Sequence, residues 1–268
     1  MAPPAGAEGP RRELANTFGT AFNPIGLQDQ LGLSWRWPLS ASRNPLLSDA
    51  HLSVGVANNF SPSYDRLELW VEVSPLSVLD LKGGVEPVYY FGTFGHLASF
   101  PSYDADFGKD AREAVKDQAV SRTGIRYYLA PTIKMKVGRI IGRSEAAFEW
   151  WRVDGPGAFF YEPMRDTLLD SDGDAMMTLS SQLLHEFPRT AGGRHVLAGV
   201  FHDMNHVYDA PSNRRQRLGP IVLWTLADRR FGLRKPTVIG SVFSYVQDPS
   251  KDGEIGGFLA VRFVMGGK

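Results

Sequence analysis

The residues of this chain whose types and spacing could do chemistry fall in three places. The first is Phe201-His-Asp-Met-Asn-His206, with two imidazoles four residues apart and a carboxylate and an amide between them. Four-residue spacing would put both imidazoles on one face of a helix, as a metal pair requires. The segment has strand character, so that argument fails. His202, Asp203 and Asn205 also supply the base and orienting parts of a hydrolase, with no Ser at an identifiable cross-strand position. The preferred reading is a polar rim beside a loop at 209–216. The second place is Asp170-Ser-Asp-Gly-Asp174, a fragment of a calcium loop that lacks the closing Glu and reads as a solvated turn. The third is a set of charges at alternate positions: Arg36, Glu68, Glu72, Asp80, Lys82, Glu86, Arg126, Lys134, Lys136, Arg143, Glu145 and Glu149. No phosphate loop, G-x-S-x-G or H-E-x-x-H motif is present, and no metal or cofactor is expected.

The elements that must position these charges are strands. From Thr123 to Val137 the chain alternates: Thr123, Ile125, Tyr127, Leu129, Ile133 and Met135 on one parity, Arg126, Tyr128, Thr132, Lys134 and Lys136 on the other. Successive side chains of a strand point to opposite faces, so this is one long strand with an apolar face and a cationic face. A turn at 138–142 follows. Arg143, Glu145, Ala147 and Glu149 then oppose Ser144, Ala146, Phe148 and Trp150. The same alternation marks 27–39, 51–56, 67–74 and 79–91. Strands are also expected at 175–187, 194–207, 217–227, 236–247 and 254–265, with both parities apolar around Val238 to Val246. Pro87 and Pro131 lie on strand faces and suggest bulges. Two long stretches, 92–122 and 154–172, lose the alternation and read as loops, the first with a short helix at 109–119.

Composition sets the bounds. The chain has 268 residues, with 29 basic and 29 acidic side chains and no cysteine. Zero net charge gives no electrostatic case for nucleic acid, and the absence of Cys excludes disulfides and thiolate metal sites. No apolar run is long enough for a membrane-spanning helix. Residues 1–12 are rich in Pro, Gly and Ala and are expected to be disordered. Residues 13–268 are expected to form a single domain. The start lacks a secretory leader, so a membrane barrel requires a mature chain given a new Met.

Short returns at 74–77, 138–142, 188–193 and 228–235 alternate with longer connections at 92–118, 154–172, 208–216 and 248–253. Short turns on one rim and long loops on the other resemble the bacterial outer-membrane β-barrels, and Gly257-Phe-Leu-Ala-Val-Arg-Phe263 resembles their closing strand. The resemblance implies an all-β, closed antiparallel barrel in the cell outer membrane. Eleven strands are supported, and a weak segment at 14–22 is the natural twelfth, since such barrels use an even number.

On that reading the twelve charges line the lumen. They either pair and fill it, which their balanced signs favour, or form rows in a narrow passive pore. Trp35, Trp37, Tyr89, Trp150, Trp224 and Phe243 are assigned to the lipid interface. The expected partners are outer-membrane lipid and a small polar solute. Two rivals remain. One is a membrane-embedded lipid esterase, because outer-membrane lipid hydrolases are similar in placing His and Ser on an outward face. The other is a soluble barrel with its apolar face inward around an apolar ligand.

Overall fold

The computed structural model describes residues 10–93, 97–154, 157–190, 193–230 and 233–265. In chain order the elements are β1 (Arg11–Phe22), β2 (Gly26–Pro38), β3 (His51–Ser61), β4 (Tyr64–Leu76), β5 (Leu79–Tyr90) and the short β6 (Ser99–Phe100). Helix α1 (Lys109–Ala114) and a turn of 3-10 helix (Lys116–Gln118) follow. Then come β7 (Arg122–Val137), β8 (Ile140–Val153), β9 (Phe159–Glu162), β10 (Thr167–Asp170), β11 (Asp174–Glu186) and β12 (His195–Val207). The chain closes with β13 (Ala210–Thr225), β14 (Arg229–Arg230), β15 (Leu233–Gln247) and β16 (Ile255–Met265).

Twelve of these strands form one closed antiparallel barrel, in which each long strand pairs with its neighbours and β1 pairs with β16. The alternation explains which face is which. On β7, Leu129 is 49% exposed and Ile133 63%, whereas Arg126 is 6% and Ala130 4%. The apolar parity faces out and the charged parity faces in, the arrangement required when the surround is lipid. The soluble alternative, with the apolar face inward, is therefore not the one adopted. An outward Leu67, Leu69, Val71, Leu81, Leu183, Val200, Leu218, Val242 and Leu259 continue the belt around the wall.

The loops follow from the pairing. Antiparallel order puts 39–50, 77–78, 138–139, 187–194 and the β13–β15 return on the rim that carries both ends of the chain. The opposite rim carries 23–25, 62–63, 91–121, 154–173, 208–209 and 248–254. Three sequence expectations change. First, β1 takes in Arg11 and Arg12, assigned above to a disordered segment, because they pair with Arg36 and Trp35 of β2; residues 1–9 lie outside the described residues. Second, most of the expected loop at 208–216 is strand, since Arg214, Arg215 and Gln216 pair with β12 and leave a turn of Tyr208 and Asp209. Third, the registers run through Pro87 and Pro131 without a shift.

The two long loops do not stand above the rim. They fold back into the barrel mouth as a small sheet in the order β10-β9-β6. One face of this plug sets Leu97, Phe160 and Leu169 against the wall residues Tyr64, Tyr90, Trp151, Met176 and Val207. The other gathers Ala98, Phe100, Phe107, Tyr161 and Leu168. Burial of these aromatic and aliphatic groups explains why segments without alternation are nonetheless ordered.

The inward and outward parities of β7 should separate chemically. In membranes, a water-soluble thiol reagent should modify Lys134→Cys and spare Ile133→Cys. Leu129→Arg, mid-strand on the lipid face, should lower unfolding stability in lipid by about 2–4 kcal/mol, read by denaturant titration.

Candidate functional site: the lumen and its plug

The inward charges are paired, not arrayed as separate walls. Glu86 on β5 accepts from Arg66 on β4 and Arg126 on β7, each at 2.8 Å. Arg126 also holds Glu149 on β8 at 2.9 Å. Glu149 is fully buried and accepts further from Trp151 Nε1 (2.9 Å), Thr178 (3.2 Å) and Arg165 Nε (3.0 Å). Arg165 belongs to the plug, so one chain of charge runs from the wall into the loop. A buried carboxylate of this kind is stable only when its lone pairs are filled by such donors.

Towards the short-turn rim the remaining predicted residues pair locally. Lys82 binds Glu68 at 2.5 Å, with Tyr128 as a second donor to that carboxylate. Lys134 meets Asp80 at 2.7 Å and Lys136 meets Glu186. Arg143 meets Glu145 at 2.6 Å, His51 meets Glu72 at 3.2 Å, and Arg36 reaches Asp49 at 2.6 Å. Gly55 and Gly84 face inward where Cβ atoms would strike the rings of Trp70 and Tyr128, so these aromatics lie flat against the wall beneath Lys82.

The turn between β9 and β10 is clamped on its other side too. Asp166, buried with φ of 52°, accepts from Lys251 Nζ at 2.5 Å and Tyr161 OH at 2.5 Å, with Arg215 at 3.5 Å. Arg215 and Arg217 share Asp203 of β12 at 3.3 and 2.8 Å. Asn205 donates to the carbonyl of Arg165 at 2.5 Å and Asn213 to that of Leu168 at 3.1 Å. Burial by itself would raise the Asp166 carboxyl, but Lys251 and Arg215 outweigh it and hold the group well below the usual carboxylate range. Glu162 is the opposite case: burial outweighs Arg66 and Arg165 and pushes its carboxyl up.

Beside the plug lies a pocket of about 370 Å³, running from the long-loop rim at Asn23 and Ser63 down to Thr17 and Gln30. Its wall on β1, β2 and β16 is built of small residues such as Gly19, Ala21 and Ala260, and its far side carries Asp166, Arg215 and Arg217. The charges lining this side are Arg215 and Arg217 against Asp166; Arg112 and Lys251 reach Asp166, and Asp203 holds Arg217, from behind the lining. The Nε of Arg215 is buried without an acceptor.

The aromatic assignments divide. Tyr89 and Trp150 lie near the long-loop rim and Trp224 near the other, each about half exposed on the outward face. Trp35 and Trp37 are also outward, at the short-turn end of β2. Phe243 is a correction: it is 3% exposed and faces in, packed with Phe201, Ile221, Leu184 and Tyr245. Both parities of β15 are apolar because one side of the lumen is itself apolar, so alternation gave no means of choosing its face. The Asp170–Asp174 stretch ends β10 and starts β11, and Asp174 accepts from Tyr103 OH (2.8 Å) and the Asp170 backbone N–H (3.0 Å). Arg66, Glu162, Arg165, Asp166, Arg215 and Lys251 were absent from the sequence-derived set, and Asp203, read there as a hydrolase part beside His202, instead faces the lumen and pairs with Arg215 and Arg217. Arg66 and Asp203 were accessible through parity, while the loop residues carry no periodic signal.

A closed wall, an apolar belt and a paired polar interior define a transmembrane β-barrel of the bacterial outer-membrane class. No family model and no curated protein matches the chain. Among solved structures it is similar to the β domain of the Bordetella autotransporter BrkA, at 12% identity and TM-score 0.42, covering 96% of this chain and 99% of that one. It is also similar to the NanC porin, at 6% identity and TM-score 0.44, covering 94% and 99%. A third is the translocator domain of the autotransporter NalP from Neisseria meningitidis, at 10% identity and TM-score 0.38, covering 97% and 90%. These likenesses are loose, and the class rests on belt, lumen and closure.

Asp166→Asn should remove a charge from the clamp and leave Lys251 and Arg215 under-compensated, costing about 3–5 kcal/mol. Because the folded Asp166 carboxyl is depressed, its contribution is present above the unfolded value of about 3.9 and declines as pH falls below it. Acid melts of the wild type should therefore show a loss of plug protection below about pH 4 that Asp166→Asn lacks. Proteolysis within 97–121 and 157–173 reads the outcome.

Proposed function

We propose that the chain is a closed outer-membrane barrel, not an open passive pore, which holds a small anionic polar solute beside its plug. The observation that carries this reading is the ion-paired clamp on both sides of the 162–166 turn, Glu149–Arg165 towards one wall and Asp166–Lys251–Arg215 towards the other. A plug tied to opposite walls by buried charges blocks steady conduction. The pocket that remains is of small-molecule size, opens towards the long-loop rim and has cations in surplus on one side. Thr17, Gln28, Gln30 and Ser63 add neutral donors and acceptors to its lining. Outer-membrane lipid surrounds the belt on this reading, with Trp35, Trp37, Tyr89, Trp150 and Trp224 at headgroup level.

In planar bilayers the wild-type protein should show no steady current. Replacing residues 157–170 by a short Gly-Ser linker should open stable ohmic channels, and large steady currents from the wild type would contradict the closed barrel. Titration calorimetry with inorganic phosphate in detergent should give saturable binding that Arg217→Ala weakens tenfold or more, as expected for loss of a charged hydrogen bond. Binding unchanged in that variant would remove the solute from the pocket.

A further inference from the structure

The outward face of the barrel carries a row of polar side chains that neither closure nor the plug uses. Ser144 on β8, Ser181 on β11, His202 on β12, Gln216 on β13 and Gln247 on β15 follow one another across five adjacent strands. Ser144 and Ser181 hydroxyls are 2.8 Å apart. His202 Nε2 lies 3.1 Å from Gln216 Oε1, and Gln216 Nε2 donates to Gln247 Oε1 at 2.7 Å. The flanking outward residues Leu183, Val200 and Leu218 are each about half exposed and belong to the apolar belt. His202 lies midway along β12, not at the rim as its sequence context suggested. An imidazole facing hydrocarbon is costly, and such groups are retained where they act.

The hydrogen bonds fix the chemistry of the ring. Gln216 uses its NH₂ on Gln247, so it offers His202 a carbonyl oxygen, and His202 Nε2 must carry the proton that Gln216 accepts. His202 Nδ1 then keeps its lone pair and can accept a proton. Ser181 stands directly opposite His202 in the β11–β12 register. Paired residues on one face have Cβ atoms about 4.5–5.5 Å apart, so the Ser181 and His202 side chains stand side by side; the Ser181 hydroxyl, 2.8 Å from that of Ser144, has to turn from it to reach Nδ1. A hydroxyl, a base beside it and an acceptor that orients the base are the parts of an activated nucleophile. Ser144, on the other side of Ser181, offers an O–H to a developing oxyanion.

We propose that this row is a lipid-facing site for hydrolysis of acyl esters of membrane lipids, with Ser181 as nucleophile, His202 as general base and Gln216 as its positioning residue. Ser181 Oγ attacks the ester carbonyl carbon while its proton passes to His202 Nδ1. The bond from that carbon to the alcohol oxygen breaks, and His202 returns the proton to the departing alkoxide, leaving an acyl-Ser181 ester. Water then adds to the acyl carbon, giving a proton to His202. Cleavage of the acyl–Ser181 bond releases the fatty acid, and the proton goes back to Ser181. The net reaction is ester plus water to acid plus alcohol. The substrate class follows from position, since only a lipid acyl ester reaches a site on the outer wall of a barrel.

The test uses the full chain folded in detergent micelles, with folding verified by heat-dependent gel migration. A dodecyl fluorophosphonate should form an adduct on Ser181, located by peptide mass. His202→Asn should slow labelling about a hundredfold or more, the usual weight of a general base, and Ser144→Ala, which removes the oxyanion donor, should slow it less. Gln216→Ala should slow labelling and alter its pH profile, and Gln216→Glu, which keeps an acceptor, should restore it. Folded wild type that forms no adduct at Ser181, or a His202→Asn variant that labels as fast as wild type, would overturn the proposal and leave the row as polar side chains satisfying one another.

Discussion

The constraint on which everything else depends is that hydrocarbon offers a strand no hydrogen-bond partner. Every backbone N–H and C=O of a strand in lipid must be paired within the protein, and only a sheet that closes on itself leaves no edge. The β1–β16 ladder, running unbroken from Leu14–Met265 to Phe22–Gly257, is where that condition is met. Closure fixes the parity of all twelve strands at once, and the parity sends leucines and valines to lipid and arginines and glutamates inward.

Closure creates a second problem, an interior that must be filled or flooded. This barrel fills it in two ways. The wall from β3 to β8 pairs opposite charges on neighbouring strands, which in a low-dielectric interior are strongly coupled. The wall from β11 to β16 sets Phe201, Ile221, Phe243, Tyr245 and Phe258 beside a charged cluster of Asp203, Arg215 and Arg217. Between the two halves the plug turn enters, with Arg165 joining the ionic half through Glu149 and Asp166 joining the cations of β13 and the 248–254 loop. The small residues of β1, β2 and β16 leave the side pocket open. The lumen is thus asymmetric: the solute reading belongs to its cationic edge and the plug to its centre.

The outer wall poses the reverse question. Most of it needs only to be apolar, and most of it is. A continuous row of two hydroxyls, an imidazole and two carboxamides across five strands departs from that rule. Its members fall on one row because residues far apart in sequence share a register. Asn16 and Asp29, another outward polar pair, meet at 2.8 Å but bring no base or nucleophile together.

The sequence by itself determined the architecture. Period-two alternation is a local property of each strand, and the unbroken pattern from Thr123 to Trp150 already put Arg126 with Lys134, and Glu145 with Glu149, on the charged face of their strands; that this face is the lumenal one was decided by the structure. Loop lengths carried the division into two rims in part: 92–118 and 154–172 fall on one rim as expected, but 39–50 lies with the short turns and 208–209 is a two-residue turn on the long-loop rim. What only the tertiary structure decided was pairing across distance. Which carboxylate meets Arg126, whether 154–173 projects or inserts, which face Phe243 takes, and that Ser181 stands opposite His202 all depend on strand register and closure. Register joins residues as far apart in the chain as Leu14 and Met265 through backbone hydrogen bonds that are the same for every side chain. Periodicity along one strand excludes a one-residue slip, which would turn every side chain to the other face, but does not choose among registers two residues apart.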